Sequence, residues 1–213
     1  MLSLHRIEKQ FHAGEHERLL RQVLDNGLRL PLPLRVRLSQ GRATAIAMGL
    51  RRVVELTYGP GPLSRAMIAA LLAEQSASGA FLADDRPDPL ATAAAVSALA
   101  MVRRDHPTAA GPEVDEAHDR ALAALSEMQD GDGLFRAGDD RSDADRARSA
   151  AFVLWLLAAD AAFRQSVRMA DVRNWFESRL SRLEATTAEL YQLACLSRPI
   201  DPPRTPALAA IAA

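Results

Sequence analysis

Two stretches of the chain are built on one pattern, and that pattern limits the fold more than any other feature. Ile68–Phe81 reads IAALLAEQSASGAF and Leu122–Phe135 reads LAALSEMQDGDGLF. Each is an apolar run at helical spacing that ends in Gln, then three residues, Gly, one residue and Phe. The positions are Gln75, Gly79 and Phe81, then Gln129, Gly133 and Phe135. Each copy leads on to an Asp and a small-residue segment, Asp88-Pro-Leu-Ala-Thr-Ala and Asp145-Arg-Ala-Arg-Ser-Ala. Self-similarity at this scale marks a repeat architecture, in which each copy buries its apolar face against the next.

Composition sets the material of the repeat. Of 213 residues 48% are hydrophobic but only 5% aromatic, so Ala supplies much of the apolar content. Ala-rich faces let helices approach closely and favour helical layers over sheets. The length suits a single domain over 1–213, with its clearest repeats at 64–104 and 113–163. A formal net charge of −1 argues against a nucleic-acid binder, which would carry a basic face. Cys195 is the sole cysteine, which excludes an intrachain disulfide and a multi-cysteine zinc site. The start of the chain lacks a signal-peptide core, and no apolar run is long enough to span a membrane. The expected location is the cytoplasm, with no cofactor.

Helical periodicity runs through residues 3–25 and stops at Asp25-Asn26-Gly27. Pro31 and Pro33 make the next segment an extended connector. Helices are expected over 43–58, from Ser64 as N-cap to Gln75, from Asp88 to Arg104, over 113–128, from Asp145 to Phe163, over 171–183 and over 186–196. The tail over 198–213 is Pro-rich. The prediction is all-α: about eight helices in four consecutive hairpins, with no strand and atypical hairpins at both ends.

A helix followed by Gln-x-x-x-Gly-x-aromatic, then Asp and a Thr/Ser-Ala helix, resembles the repeat of the terpenoid cyclase and protein prenyltransferase β-subunit superfamily. Relatives of the squalene–hopene cyclase type usually carry Trp where this chain has Phe81 and Phe135. The likeness covers about 68–160. It implies an (α/α) toroid, incomplete here because a full ring has six hairpins. The residues themselves suggest structural roles. The glycines supply positive φ and close backbone approach. The glutamines satisfy open backbone groups at helix ends. The rings fill the junctions between hairpins.

The chemistry that the resemblance implies is poorly matched. Class II cyclases of this superfamily carry Asp-x-Asp-Asp-Thr-Ala, whereas this chain has Asp145-Arg146-Ala147-Arg148 before Ser149-Ala150. Only the first Asp is kept, and Arg148 would stabilise a carboxylate rather than a proton-donating acid. Asp88 and Asp145 recur in the same slot of the two copies and read as N-caps. The run from Asp139 to Asp145 is acidic enough to suggest a metal and a diphosphate, but it interleaves with Arg and reads as a capped loop. Prenyltransferase zinc ligands are not matched: Cys195 sits in an apolar helical run, as core cysteines do, and no Asp-x-Cys occurs. His12 and His16 have metal-compatible spacing but no evident third ligand, so no metal is expected. Trp155 lies in an apolar stripe and reads as core.

If a small ligand binds, the toroid analogy places it at helix starts around a cavity mouth, near Asp88, Thr92, Asp145, Arg148 and Ser149. Helix N-termini favour anions there. The resulting reading is a non-catalytic toroid-like binding or scaffold module. Its partner is a second copy or another protein capping an open arc, or a hydrophobic or anionic small ligand of isoprenoid type. The alternative is a small isoprenoid-processing enzyme with a non-standard site.

Overall fold

A computed structural model describes residues 41–56, 60–136 and 142–197. The helix expected over 3–25, the Pro31–Pro33 connector, His12 and His16, and the 198–213 tail lie outside the described residues. Within them the chain is all-α except for one short hairpin. Helix α1 is Arg42–Leu56 and α2 is Pro62–Ala73. Strands β1 (Leu82–Ala83) and β2 (Arg86–Pro87) follow, then α3 (Pro89–Asp105) and α4 (Pro112–Glu127). Helices α5 (Asp143–Leu157), α6 (Ala161–Ser166) and α7 (Met169–Glu177), a 3-10 turn at Leu180–Arg182 and α8 (Ala185–Leu196) complete the described chain.

The helices stand in two rows. α1, α3, α5 and α8 form one row, each packed on the next, while α2, α4 and α6 run alongside in the other. Helix α3 is at the centre of the first row. It touches α1, α4 and α5, and every residue from Pro89 to Leu99 is buried. Ala91, Ala93, Ala94, Ala95 and Ala98 give it several narrow faces, so neighbours can close in on more than one side. Thicker side chains fill the gaps between the rows, with Phe81, Phe135, Phe152, Phe163 and Phe176 all fully buried.

Several features differ from the sequence expectation, among them the helix expected over 171–183, which ends at Glu177 and is followed by a 3-10 turn at Leu180–Arg182. The stretch expected as one helix to Phe163 breaks after Leu157, because the Asp160 carboxylate accepts the Phe163 amide at 3.0 Å and starts α6. Ser64 is not the cap of α2. Gly61 is, with Pro62 at the first helical position and the Ser64 hydroxyl accepting the Gly61 amide at 2.9 Å. A strand pair also forms where none was expected. Asp84 and Asp85 both have positive φ, 50° and 61°, as a two-residue I′ hairpin turn requires, and β1 pairs antiparallel with β2. Short polar side chains make Asp one of the few non-glycine types that adopt this conformation.

The two repeat turns are closely alike. Gly79 and Gly133 have φ of 85° and 90°, and Gln75 and Gln129 bridge to Phe81 and Phe135 across the turn. The Gln75 amide donates to the Gly79 carbonyl at 2.9 Å and, in the next hairpin, to the Ala117 carbonyl at 2.8 Å. Its oxygen accepts from Arg120. Gln129 repeats this on α7. Its amide donates to the Gly133 carbonyl at 2.8 Å and to the Arg168 carbonyl at 3.4 Å, while its oxygen accepts the Arg168 amide at 2.8 Å. Each turn therefore lies flat on the backbone of a following helix, α4 for the first and α7 for the second, and no side chain fits between them. A Cβ on Gly79 would lie 2.6 Å from the Arg120 carbonyl oxygen, and one on Gly133 2.6 Å from the Val172 amide nitrogen.

Gly79→Ala and Gly133→Ala should each cost about 2–4 kcal/mol, combining left-handed strain with displaced backbone. Gly131→Ala, whose Cβ would meet nothing within 4 Å, should change stability by less than about 0.5 kcal/mol. Urea unfolding followed by circular dichroism measures all three; equal midpoints would refute the joint.

Candidate functional site

The five residues expected at a cavity mouth fall into two sets. The first belongs to the start of α3. Asp88 is its N-cap, buried, with Oδ2 accepting the Ala91 amide at 2.9 Å. One turn on, the fully buried Thr92 hydroxyl accepts the Phe81 amide at 3.0 Å and donates to the Asp88 carbonyl at 2.8 Å. Asp88 and Thr92 thus fasten the repeat turn to the helix that follows it.

The second set belongs to the start of α5, and here the expected cap is corrected. Asp145 is the third helical residue, and the N-cap is Ser142. The Ser142 hydroxyl accepts the Asp145 amide at 3.2 Å and donates to its carboxylate at 2.7 Å. Counted from each Phe the caps coincide, since 81 to 88 and 135 to 142 are both seven residues. Asp145 copies Asp88 in residue type but not in position. Arg148 holds Asp145 at 3.1 Å and Glu184, at the start of α8, at 2.6 Å. The hydrogen bond to Glu184 raises its pKa above the usual arginine value. Its charge ties α5 to α8. Ser149 is buried behind it.

Two clusters were not anticipated. Arg146 gathers Asp130 at 3.1 Å, Asp132 at 3.0 Å and Asp143 at 3.2 Å, so that in the described part of the acidic run Asp143 pairs with Arg146 and Asp145 with Arg148. Residues Asp139, Asp140 and Arg141 lie outside the described residues. Among the described residues no group of three or more His, Cys, Asp or Glu could hold a metal ion. The second cluster surrounds the buried His118 of α4. Its Nδ1 lies 2.8 Å from Arg103 and 3.2 Å from Asp119, and its Nε2 is 3.6 Å from Asp160. Burial alone would raise the Asp160 pKa. The His118 side chain and the amides that Asp160 caps outweigh burial, and the carboxyl lies below its ordinary value. Sequence reading missed both clusters because Asp160 was placed inside a continuous helix, and because Arg146 occurs in a run of alternating charges.

Two side chains are placed differently from expectation. Cys195 is exposed, because α8 packs on α5 through Leu190, Tyr191 and Ala194 and turns Cys195 outward. Trp155 is only partly buried, with its ring 5.5 Å from that of Phe152. No helix among the described residues is long and apolar enough to cross a membrane. No protein-family model, curated protein or solved structure matches the chain.

Asp88→Ala removes a buried cap and should cost about 1–2 kcal/mol, whereas Asp145→Ala, an exposed partner at a start that keeps Ser142, should cost about 0.5 kcal/mol or less. Equal losses in denaturant titration would contradict this placement of the caps. Asp160→Ala should cost about 1–2 kcal/mol at neutral pH. A carboxyl with a lowered folded-state pKa contributes stability above its unfolded value, and loses it as pH falls through the folded value. The gap between wild type and Asp160→Ala should therefore close in acid, below the ordinary carboxylate range. A pH-independent gap in melting temperature would show that the charge has no part in it.

Proposed function

We propose that the chain is a non-catalytic binding module, a stack of helical hairpins arranged as part of an (α/α) toroid, which engages a protein partner at the end of its first row. The observation that carries this reading is the outward face of α8. Leu193 is 43% exposed and Leu196 78% exposed, three residues apart on one helix side. Terminal elements of a repeat stack normally carry a polar outer face, and apolar side chains there favour contact with another protein surface.

The polar side chains support the same reading. Asp88 and Thr92 bond to backbone, and Arg148 is taken up by Asp145 and Glu184. An isoprenoid-processing reaction needs a free acid or a diphosphate-binding cation at these helix starts, and these groups are already engaged within the chain. The centre of the first row is filled by the alanines of α3, which suits a scaffold better than a lipid-sized chamber. The module would bind through an end, and its interior would serve to hold that end rigid.

A second copy of the chain is the simplest partner for such a face. Size-exclusion chromatography with light scattering should show a mass that rises above the monomer with concentration. The double variant Leu193→Asp, Leu196→Asp should remain monomeric with an unchanged circular dichroism spectrum. A wild-type monomer at every concentration would sink the self-association form of the proposal.

A further inference from the structure

The first row has two ends among the described residues, α1 and α8, and its helices point the same way. A Cβ on Gly41, just before α1, would lie 3.1 Å from the Leu82 carbonyl oxygen, while Thr92 in the first turn of α3 bonds the neighbouring Phe81. The starts of α1 and α3 are therefore on one side. Arg148 joins the starts of α5 and α8 through Glu184, and Arg164 joins their ends through the Ala158 and Ser197 carbonyls, so these two are parallel as well. Side-by-side, parallel packing is the contact from which the row is made, and α1 and α8 each have a side on which it is not used among the described residues.

The outward stripes of the two helices match in position. On α1 the stripe holds Ala45 and Val53, both half-buried, with Arg52 and Leu56 exposed. On α8 it holds Ala185, Glu189, Gln192, Leu193 and Leu196, all exposed. Ala45 to Leu56 and Ala185 to Leu196 are both spans of eleven residues, so with like ends level the two alanines share one height and the two leucines another. Arg52 then stands about one helical turn from Glu189, within reach of its carboxylate. Leu56, Leu193 and Leu196, at 41%, 43% and 78% exposure, are the exposed large hydrophobic side chains among the described residues. All of them lie on these two sides, toward the same end of the row. A two-fold contact of α8 with a second α8 fits less well, because in either sense it brings two Glu189 carboxylates close to the axis.

We propose that copies of the chain associate head to tail, with the outer stripe of α8 packed parallel on the outer stripe of α1 in the next copy. Leu193 and Leu196 close on Val53 and Leu56 of the next copy, Glu189 meets its Arg52, and the first row continues from one molecule into the next. This rests on the reading of α8 as a docking end and adds the surface on which it docks. Such a contact is heterologous, so growth passes beyond a dimer unless a ring closes.

The experiment mixes two variants and reads mass by size-exclusion chromatography with light scattering, at a concentration where the wild type associates. Leu193→Asp with Leu196→Asp spoils the α8 side, and Arg52→Glu with Leu56→Asp spoils the α1 side. Each variant alone should be monomeric with the circular dichroism spectrum of the wild type. Their equimolar mixture should form a heterodimer and stop there, since each partner supplies one intact side. If the α1 variant alone associates as the wild type does, the contact proposed here is overturned while α8 remains a docking end. A mixture that stays monomeric overturns it too. A wild type that is monomeric at every concentration removes self-association through α8 itself, and this contact with it. Should the double change on α1 prevent folding, Leu56→Gln alone should raise the midpoint concentration for association about tenfold, and an unchanged midpoint would overturn the proposal.

Discussion

The glutamine that follows α2 and its counterpart after α4 make the contact on which the stack depends. One primary amide does two jobs. It closes its own turn by donating to a glycine carbonyl, and it bonds the backbone of a following helix, α4 for Gln75 and the start of α7 for Gln129. A side-chain amide suits this because it carries two donors and an acceptor within a short reach. The glycine must come with it. Only a residue without Cβ permits both the positive φ and a turn pressed on neighbouring backbone. The ring two residues later is then carried into the space between the rows, where Phe81 and Phe135 are fully buried. Phe135 meets Phe163 at 6.5 Å, so the turn of one repeat also packs on α6.

Once the turns are fixed, the first row needs little beyond small side chains. Helices α1, α3 and α5 meet over alanine-rich faces, and α8 closes on α5 with Leu190, Tyr191 and Ala194. Arg148 adds a polar tie between α5 and α8 through Glu184. His118 does the equivalent for α4 and α6 through Asp160. In both ties an ionisable side chain joins two helices that are packed together.

Much of the fold was legible in the sequence. Gln75, Gly79 and Phe81 and their second copy marked the turns, and Asp88 with Pro89 marked the start of α3. The corrections share one cause. Capping depends on which residue leaves helical geometry first, and several polar residues near a start compete for that position. Ser142 won over Asp145, Gly61 over Ser64, and Asp160 opened a new helix inside an apolar run. The Asp84-Asp85 hairpin was hidden for a related reason, since most aspartates are not at positive φ and composition cannot mark the two that are. The candidate site was legible only as residue types. Asp88 and Arg148 stood out by type and place in the sequence, but their partners, the Ala91 amide and Glu184, are set by packing.

The sequence alone determined that the chain is helical, that it repeats, and where the repeats turn. Those properties are local: periodicity, proline, glycine and a glutamine at a fixed offset act within a few residues of themselves. Only the tertiary structure decided which side chains are spent and which are spare. Arg146 and Arg148 look alike in sequence to Arg164 and Arg173. The first two meet carboxylates brought in from distant turns and helices, whereas Arg164 donates to the Ala158 and Ser197 carbonyls and Arg173 borders a shallow surface crevice. Charge neutralisation and burial are properties of neighbours in space, and a repeat stack draws those neighbours from residues far apart in the chain.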